Sequence, residues 1–238
     1  MSTNACHNSQ FTIVFDAVGT LIFARPTVAE VYLDAAGRFG WSGELADIEC
    51  RFRASFSSIS GRGLDFTTNE SLQRVRWREL VGTVFHELPA VRVDSIFECL
   101  WAHFALPNAW ELFPDALHAI ELCNKRGVPW CIGSNFDARL HQVVAGLSPL
   151  ASCQRVFCSS EVGFDKPAGE FFRGVEKSLG LSSHQLIMVG DDARLDAVAA
   201  EQAGWIGLWL NRHPLKSSVD FDAPPQLRSL EELEMWLV

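Results

Sequence analysis

The 238-residue sequence predicts an α/β protein with a parallel sheet, helices on both faces of that sheet, and an inserted helical domain. Three observations predict this fold. Short apolar runs alternate with helical patterns in the second half of the chain, glycines close several of those patterns, and a long strand-free segment follows the first apolar run. Because 48% of the residues are hydrophobic, the chain can bury a sizeable core.

Apolar, partly β-branched runs predict five buried strands. They are residues 12–18, 129–134, 155–160, 186–191 and 205–210. Helical patterns alternate with the last four runs, at residues 116–125, 137–146, 168–179 and 193–203. This alternation predicts parallel strands that are covered on both faces.

About a hundred residues between the first two strands contain no strand-like run, which is far more than a simple crossover needs. Four helices are predicted there, at residues 27–39, 44–57, 69–86 and 91–106. Asn69 is the expected N-cap of the third helix. We therefore predict a helical-bundle cap domain at residues 22–107, with residues 1–21 and 108–238 forming the α/β core.

The composition limits the classes of function. A formal net charge of −9 argues against nucleic acid and anionic membranes as partners, because both would repel the chain. No segment approaches the ~20 consecutive apolar residues of a membrane span, and the seven cysteines contain no Cys-x-x-Cys pair. We expect a cytoplasmic protein with reduced thiols that acts on a small anionic molecule. The oligomeric state is left open.

Polar residues end most of the predicted strands, where ligands bind in doubly wound sheets. The set comprises Asp16 and Thr20 after the first run, Ser134 and Asn135 after the second, Lys166 after the third, and Asp191, Asp192 and Asp196 after the fourth. Phosphoryl transfer needs such parts: Asp16 could attack phosphorus, while Ser134 and Lys166 could hold the non-bridging oxygens. An oxygen-rich ligand set suits Mg²⁺ better than Zn²⁺.

These segments resemble, in order, the four motifs of the haloacid dehalogenase superfamily, whose core is Rossmann-like and which also carries a cap after its first motif. The matching segments are residues 16–20, Ser134, Lys166 with Pro167, and Gly190-Asp191 with Asp196. The resemblance implies that Asp16 is the nucleophile and that Asp16 and Asp191 bind Mg²⁺. It also implies phosphate contacts from Thr20, Ser134 and Lys166, with Asp196 supporting the metal site. We add Asn135 as a substrate contact and Asp192 as a second supporting residue.

One position departs from the family's phosphatases, which carry a second aspartate two residues after the nucleophile. That position is Val18, which retains a backbone carbonyl as a metal ligand but cannot protonate a leaving group. General acid–base help is typically worth ~10² to 10⁴ in rate, so a phosphatase without it should be slow or should recruit another group. His86 and His103 could substitute, although a histidine within an apolar helix is more often packed than catalytic.

Three relatives also dispense with that aspartate. Haloacid dehalogenases lack the acidic Gly190-Asp191-Asp192 pattern, and phosphonoacetaldehyde hydrolases need a cap lysine, whereas the first lysine here is Lys125. The nearest branch is the one similar to the rhythmically expressed gene 2 protein, which combines an Asp-x-x-x-Thr first motif with a Pro-x-x-x-Val-Tyr segment. Residues 26–32 fit that segment with one extra residue between Pro26 and Val31. The favoured function is a Mg²⁺-dependent phosphatase for a small phosphorylated metabolite. The alternatives are a weakly active or non-enzymatic protein that binds Mg²⁺ and anions, and a 2-haloacid dehalogenase.

Seven arginines of the predicted cap could select an anionic substrate, although most fit solvated helix faces. They are Arg25, Arg51, Arg53, Arg62, Arg74, Arg76 and Arg78. Trp77, Trp101 and Trp130 are interpreted as packing residues.

Overall fold

The computed structural model describes residues 11–60, 66–213 and 224–237, without the side chains of residues 57–60. The first ten residues of the predicted core and Arg62 therefore lie outside the described residues. The strands are β1 (Thr12–Phe15), β2 (Ile22–Ala24), β3 (Trp110–Leu112), β4 (Trp130–Ser134), β5 (Val156–Cys158), β6 (Leu186–Gly190), β7 (Ile206–Leu210) and β8 (Gln226–Leu227). The helices are α1 (Val28–Arg38), α2 (Leu45–Ser60), α3 (Glu70–Val84), α4 (Ala90–His103), α5 (Pro114–Arg126), α6 (Arg139–Gly146), α7 (Ser159–Val162), α8 (Gly169–Leu179) and α9 (Ala199–Gln202).

Six strands form one parallel sheet in the order β5-β4-β1-β6-β7-β8. β1 lies between β4 and β6, so the chain builds one half of the sheet on each side of it. Ile13 and Phe15 pack into one hydrophobic cluster, whereas Val14 packs into the cluster on the opposite face. This confirms the predicted α/β fold and places the topological switch point between β1 and β6.

The four predicted insert helices are present as α1 to α4, within a few residues of the expected bounds. Thr27 forms a capping box with Glu30, and Asn69 Oδ1 accepts a hydrogen bond from Leu72 N at 2.9 Å. The insert has its own apolar cluster, with fully buried Ile48 and Ile96 among its members. Its interpretation as a separate cap domain stays a prediction.

A short antiparallel pair, β2 with β3, joins the chain where it leaves for the insert and where it returns. The sequence did not predict these strands, nor the two-residue β8. A further difference concerns the predicted helix at residues 193–203, which begins as a π-helical turn at Ala193–Val198 before α9. Within the described residues, no helix has the length and apolar content needed to cross a membrane.

Polar contacts join α3 to the core beside the third predicted motif. Arg76 Nη1 lies 2.7 Å from Asp165 Oδ2, and Gln73 Nε2 donates to Asp165 Oδ1 at 3.0 Å. Glu70 Oε1 accepts a hydrogen bond from Ala138 N at 2.9 Å. The insert is therefore fixed to the core through α3, at the residue that precedes Lys166.

Candidate active site

The carboxyl ends of β1, β4 and β6 open into a cavity of about 410 Å³ between the sheet and the insert. Seven of the eight strand-end residues predicted from the sequence border this cavity; the exception is Thr20. They are Asp16, Ser134, Asn135, Lys166, Asp191, Asp192 and Asp196. The parallel topology explains this convergence, since strands that run the same way end at the same edge of the sheet.

Lys166 lies at the centre of the site with all three ammonium protons engaged. Its Nζ donates to Asp16 Oδ1 at 2.8 Å, Asp196 Oδ1 at 2.6 Å and the Gly133 carbonyl at 2.9 Å. Burial would lower the pKa of Lys166, but the Asp16 and Asp196 carboxylates outweigh it and raise that pKa above its ordinary value. The lysine is therefore held as a cation against the predicted nucleophile.

Asn135 positions Lys166 through its main chain. Lys166 N donates to Asn135 Oδ1 at 2.7 Å, and Asn135 Nδ2 donates to the Lys166 carbonyl at 2.8 Å. Because the amide is engaged with Lys166, this geometry favours a positioning role for Asn135 over the predicted substrate contact. Ser134 is buried at the cavity edge, where its hydroxyl can face a ligand.

Thr20 binds Asp191 instead of facing the cavity. Thr20 Oγ1 donates to Asp191 Oδ1 at 3.2 Å and accepts from Asp191 N at 3.0 Å. Thr20 is fully buried, so the predicted direct phosphate contact does not fit this structure. The preceding residue, Gly19, has φ +90°, and a Cβ there would lie 2.3 Å from Asp191 Oδ2. The loop after β1 therefore orients Asp191.

Asp192 and Asp196 support the site from the turn after β6. Asp192 Oδ1 accepts from Arg194 N and Leu195 N at 2.9 Å each, which caps the π-helical turn. Asp192 N in turn donates to Asp196 Oδ2 at 3.1 Å. Since its other oxygen binds Lys166, Asp196 links this turn to the lysine.

Three carboxylates are crowded into the site. Oxygens of Asp16, Asp191 and Asp196 all lie within 4.8 Å of one another. Asp191 is exposed to solvent, but partial desolvation by the surrounding site and the Asp16 charge raise its pKa. Burial raises the pKa of Asp196 even against the opposing effect of Lys166. One ammonium does not balance these charges, so the donor set fits a divalent cation that prefers oxygen ligands.

Val18 follows the nucleophile position in the loop after β1. Val18 is 39% exposed and borders the cavity, and no described residue donates a hydrogen bond to its carbonyl oxygen. The side chain offers no proton. Neither His86 nor His103 borders the cavity, so these two candidates for the missing acid are not supported.

An ion pair that the sequence did not predict fixes the loop after β1. Arg212 Nη1 donates to the Gly19 carbonyl at 2.6 Å and Nη2 to the Thr20 carbonyl at 2.8 Å. Asp115 holds the same guanidinium with both carboxylate oxygens, at 2.8 and 3.1 Å. Because the partners are distant in sequence, no local pattern identified this pair.

Aromatic side chains of the insert form the cavity wall opposite the carboxylates. They include Tyr32, Phe52, Phe56, Trp77, Phe97 and Trp101. Trp77 and Trp101 were predicted to be packing residues, but both border the cavity as well. Trp130 is fully buried in β4, in agreement with its predicted packing role.

The profile of haloacid dehalogenase-like hydrolases matches residues 12–204. The chain belongs to the haloacid dehalogenase-like hydrolase family. This confirms the resemblance to the superfamily, while the narrower resemblance to one branch stays a prediction. The haloacid dehalogenase-like hydrolase domain-containing protein 3 of Danio rerio is 27% identical over 228 residues, covering 93% of each chain. A phosphoserine phosphatase of Thermus thermophilus is 30% identical over 246 residues, covering 94% of this chain and 97% of the relative.

Solved structures of the family share this fold. A magnesium-bound HAD hydrolase from Bacillus subtilis has a TM-score of 0.72 at 17% identity, covering 95% of this chain and 98% of that one. A defluorinating L-2-haloacid dehalogenase has a TM-score of 0.71 at 16% identity, covering 95% and 94%. A magnesium-bound hydrolase and a dehalogenase therefore share this architecture, and the side chains of the site must distinguish between different reactions.

Proposed function

We propose that this member of the family is a Mg²⁺-dependent phosphatase that forms an aspartyl-phosphate on Asp16. One observation supports this proposal most strongly. Carboxylate oxygens of Asp16, Asp191 and Asp196 lie within 4.8 Å of one another in the cavity, beside the ammonium of Lys166. The 30% identity to a phosphoserine phosphatase supports the same reaction class. The insert acts as the cap, which covers the site and excludes water.

Each residue of the proposed mechanism has a defined task. Asp16 attacks phosphorus in line, Ser134 holds a non-bridging oxygen, and the charge of the Lys166 ammonium stabilises the phosphate beside Asp16. Asp16, Asp191 and the Val18 carbonyl would hold Mg²⁺, which neutralises charge on the phosphate when it is bound. The bond from phosphorus to the leaving oxygen breaks with its electron pair on that oxygen. Water then attacks phosphorus, phosphate departs, and the Asp16 carboxylate is restored.

Val18 favours a second candidate function, a weakly active or non-enzymatic protein that binds Mg²⁺ and an anion. Its valine side chain occupies the position from which family phosphatases protonate the leaving group, and it borders the cavity. Dehalogenation of a 2-halo acid is a further alternative, in which Asp16 attacks carbon. The crowded carboxylates favour phosphate chemistry over that reaction, because they call for a divalent cation.

Product release from phosphomonoesters and 2-halo acids, with and without Mg²⁺, tests the three functions. Wild type is compared with Asp16→Asn, and Glu161→Gln serves as the matched control because Glu161 does not border the cavity. Phosphate release that requires Mg²⁺ and is lost only in Asp16→Asn is expected. Mg²⁺ binding without turnover of any ester would favour the binding protein, and metal-independent halide release would favour the dehalogenase.

A further inference from the structure

We infer that the cavity beneath α1–α4 binds an uncharged aromatic leaving group, so that the preferred substrates are aryl phosphates. This inference rests on the proposed phosphatase reaction and specifies its substrate class. Two independent features lead to it: the wall of the cavity that faces the carboxylates, and the valine at the position of the general acid.

In the described residues, the wall contributed by the insert consists of aromatic and aliphatic side chains without a charged group. Its aromatic members come from all four helices, among them Tyr32, Phe52, Trp77 and Trp101. Aromatic faces and edges favour another ring, and such contacts are worth about 0.5–1.5 kcal/mol beyond burial of area. At about 410 Å³, the cavity falls in the lower part of the range of small-molecule sites. It can hold a phosphate together with a ring system of one or two rings.

The charges around this wall are already paired. Arg139 is the cationic side chain that borders the cavity besides Lys166 in the described part of the chain. Its Nε and Nη2 each donate to Asp137 at 2.7 Å, and Nη1 donates to the Trp101 carbonyl at 3.1 Å. Asp137 is completely buried, so the pair carries no net charge that a substrate could use.

Four of the seven insert arginines that were candidates for anion selection form ion pairs away from the cavity, and Arg53 borders an adjoining pocket. Arg51, Arg74, Arg76 and Arg78 form ion pairs with Glu87, Glu98, Asp165 and Asp94, respectively. None of these four arginines borders the cavity. A substrate with a charged remainder, such as phosphoserine, would lose hydration of its ammonium and carboxylate groups where they meet the aromatic wall.

Val18 also favours aryl phosphates as substrates, because it cannot protonate the leaving group. Without a proton donor, the leaving oxygen departs as an anion that later takes a proton from water. A phenol has a pKa of about 10, so an aryl oxide leaves far more readily than an alkoxide. A loose transition state places most of the charge on this oxygen, so we expect the rate to fall about tenfold per unit of leaving-group pKa.

Turnover and binding are measured in separate experiments, because the aromatic site and the phosphatase reaction can then be tested independently. With Mg²⁺ present, kcat/KM for 1-naphthyl phosphate should exceed that for phosphoserine and glucose 6-phosphate by about 100-fold or more. Calorimetry measures binding of the non-hydrolysable 1-naphthylphosphonate. Trp77→Ala should weaken this binding about tenfold, whereas Trp236→Ala, the same change outside the cavity, should leave it unchanged.

Phe56→Ala is the second variant, because Phe56 borders the cavity but is 45% exposed, so its truncation spares the core. If phosphoserine were turned over as fast as 1-naphthyl phosphate or faster, the aromatic site would be overturned and the phosphatase proposal would remain intact. Absence of turnover with every ester, combined with binding that depends on Trp77, would overturn the phosphatase proposal and retain the aromatic site. Binding that neither cavity variant weakens would overturn the inference.

Discussion

The guanidinium of Arg139 lies 3.5 Å from the centre of the Trp101 ring. Arg139 belongs to the core helix α6 and Trp101 to the insert helix α4, so this contact crosses the boundary between them. The hydrogen bond to the Trp101 carbonyl and the two bonds to Asp137 fix the same group. One cation therefore holds the insert against the edge of the cavity.

Arg139→Met should lower the free energy of unfolding by about 3–5 kcal/mol, because it leaves the buried Asp137 carboxylate without its partner. Chemical denaturation measures the loss. Arg173→Met is the control, since its ion pair with Glu170 is exposed and should contribute less than about 1 kcal/mol. The double variant with Asp137→Leu should recover much of the stability. A loss below about 1 kcal/mol in Arg139→Met would contradict this assignment.

Mg²⁺ should stabilise the wild-type protein by about 2.7 kcal/mol at a hundred times its dissociation constant. Asp191→Asn should abolish this stabilisation, and without metal it should be more stable than wild type because it relieves repulsion with Asp16. Thermal unfolding with and without MgCl₂ measures both effects. Glu161→Gln is the control for loss of a carboxylate elsewhere. Full retention of the Mg²⁺ effect in Asp191→Asn would exclude Asp191 as a ligand.

Val18→Asp should raise kcat/KM for alkyl phosphates by about 10- to 100-fold, because it adds a proton donor for a basic leaving group. With 4-nitrophenyl phosphate the gain should stay below about threefold, since that leaving group needs little protonation. Val18→Asn has a similar shape and no acidic proton, and should show neither gain. Equal gains with Val18→Asp on both ester classes would contradict a role in leaving-group protonation.

The phosphorylated Asp16 intermediate should accumulate during turnover of 4-nitrophenyl phosphate. Departure of 4-nitrophenolate needs no acid, whereas attack of water on the intermediate lacks a general base. Rapid-mixing measurements should show a burst of product close to one equivalent of protein. Asp16→Asn should show no burst, and a linear progress curve in the wild type would show that phosphorylation of Asp16, or a step before it, limits the rate.

Asp115→Asn should destabilise the protein by about 2 kcal/mol at pH 7 and by progressively less below pH 4. Burial raises the pKa of Asp115, but hydrogen bonds from Arg212 and Leu230 N outweigh it and hold the pKa below its ordinary value of 3.8. The unfolded chain therefore takes up this proton first, and the stabilisation is present above about pH 4 and lost as the pH falls.

Denaturant unfolding of wild type and Asp115→Asn between pH 3 and pH 7 measures this difference. Asp34→Asn is the control, because its ion pair with Arg38 is exposed on α1. The control should differ little from wild type throughout. A destabilisation by Asp115→Asn that stays constant down to pH 3 would show that the charge on Asp115 is unimportant.

Local patterns were sufficient to predict the main elements of the fold. Each of the five predicted strands is present, because a buried parallel strand is a continuous apolar run. Asn69 was correctly predicted as the N-cap of the third insert helix, because its side chain can accept a hydrogen bond from the first helical turn. β2 and β3 escaped prediction because each has three residues and pairs with a segment far away in the chain.

Some residues of the candidate site could likewise be predicted from the sequence, whereas others could not. Asp16, Lys166 and Asp191 were found because parallel strands bring their carboxyl ends together. Arg139 and Arg212 were missed because their roles depend on partners that only tertiary structure supplies. An apolar helix face is known to be buried, but the sequence does not show whether it meets another helix or a cavity. For that reason Trp77 and Trp101 were interpreted as packing residues.

The ion pair between Arg76 and Asp165 connects the insert to the residue immediately before Lys166. Movement of α3 away from the sheet would break this ion pair and free the backbone of Asp165 and Lys166. The open molecule would then hold Lys166 less firmly than the closed one. Substrate access and charge placement would be thermodynamically linked, so a ligand that closes the insert would also complete the electrostatic environment of Asp16.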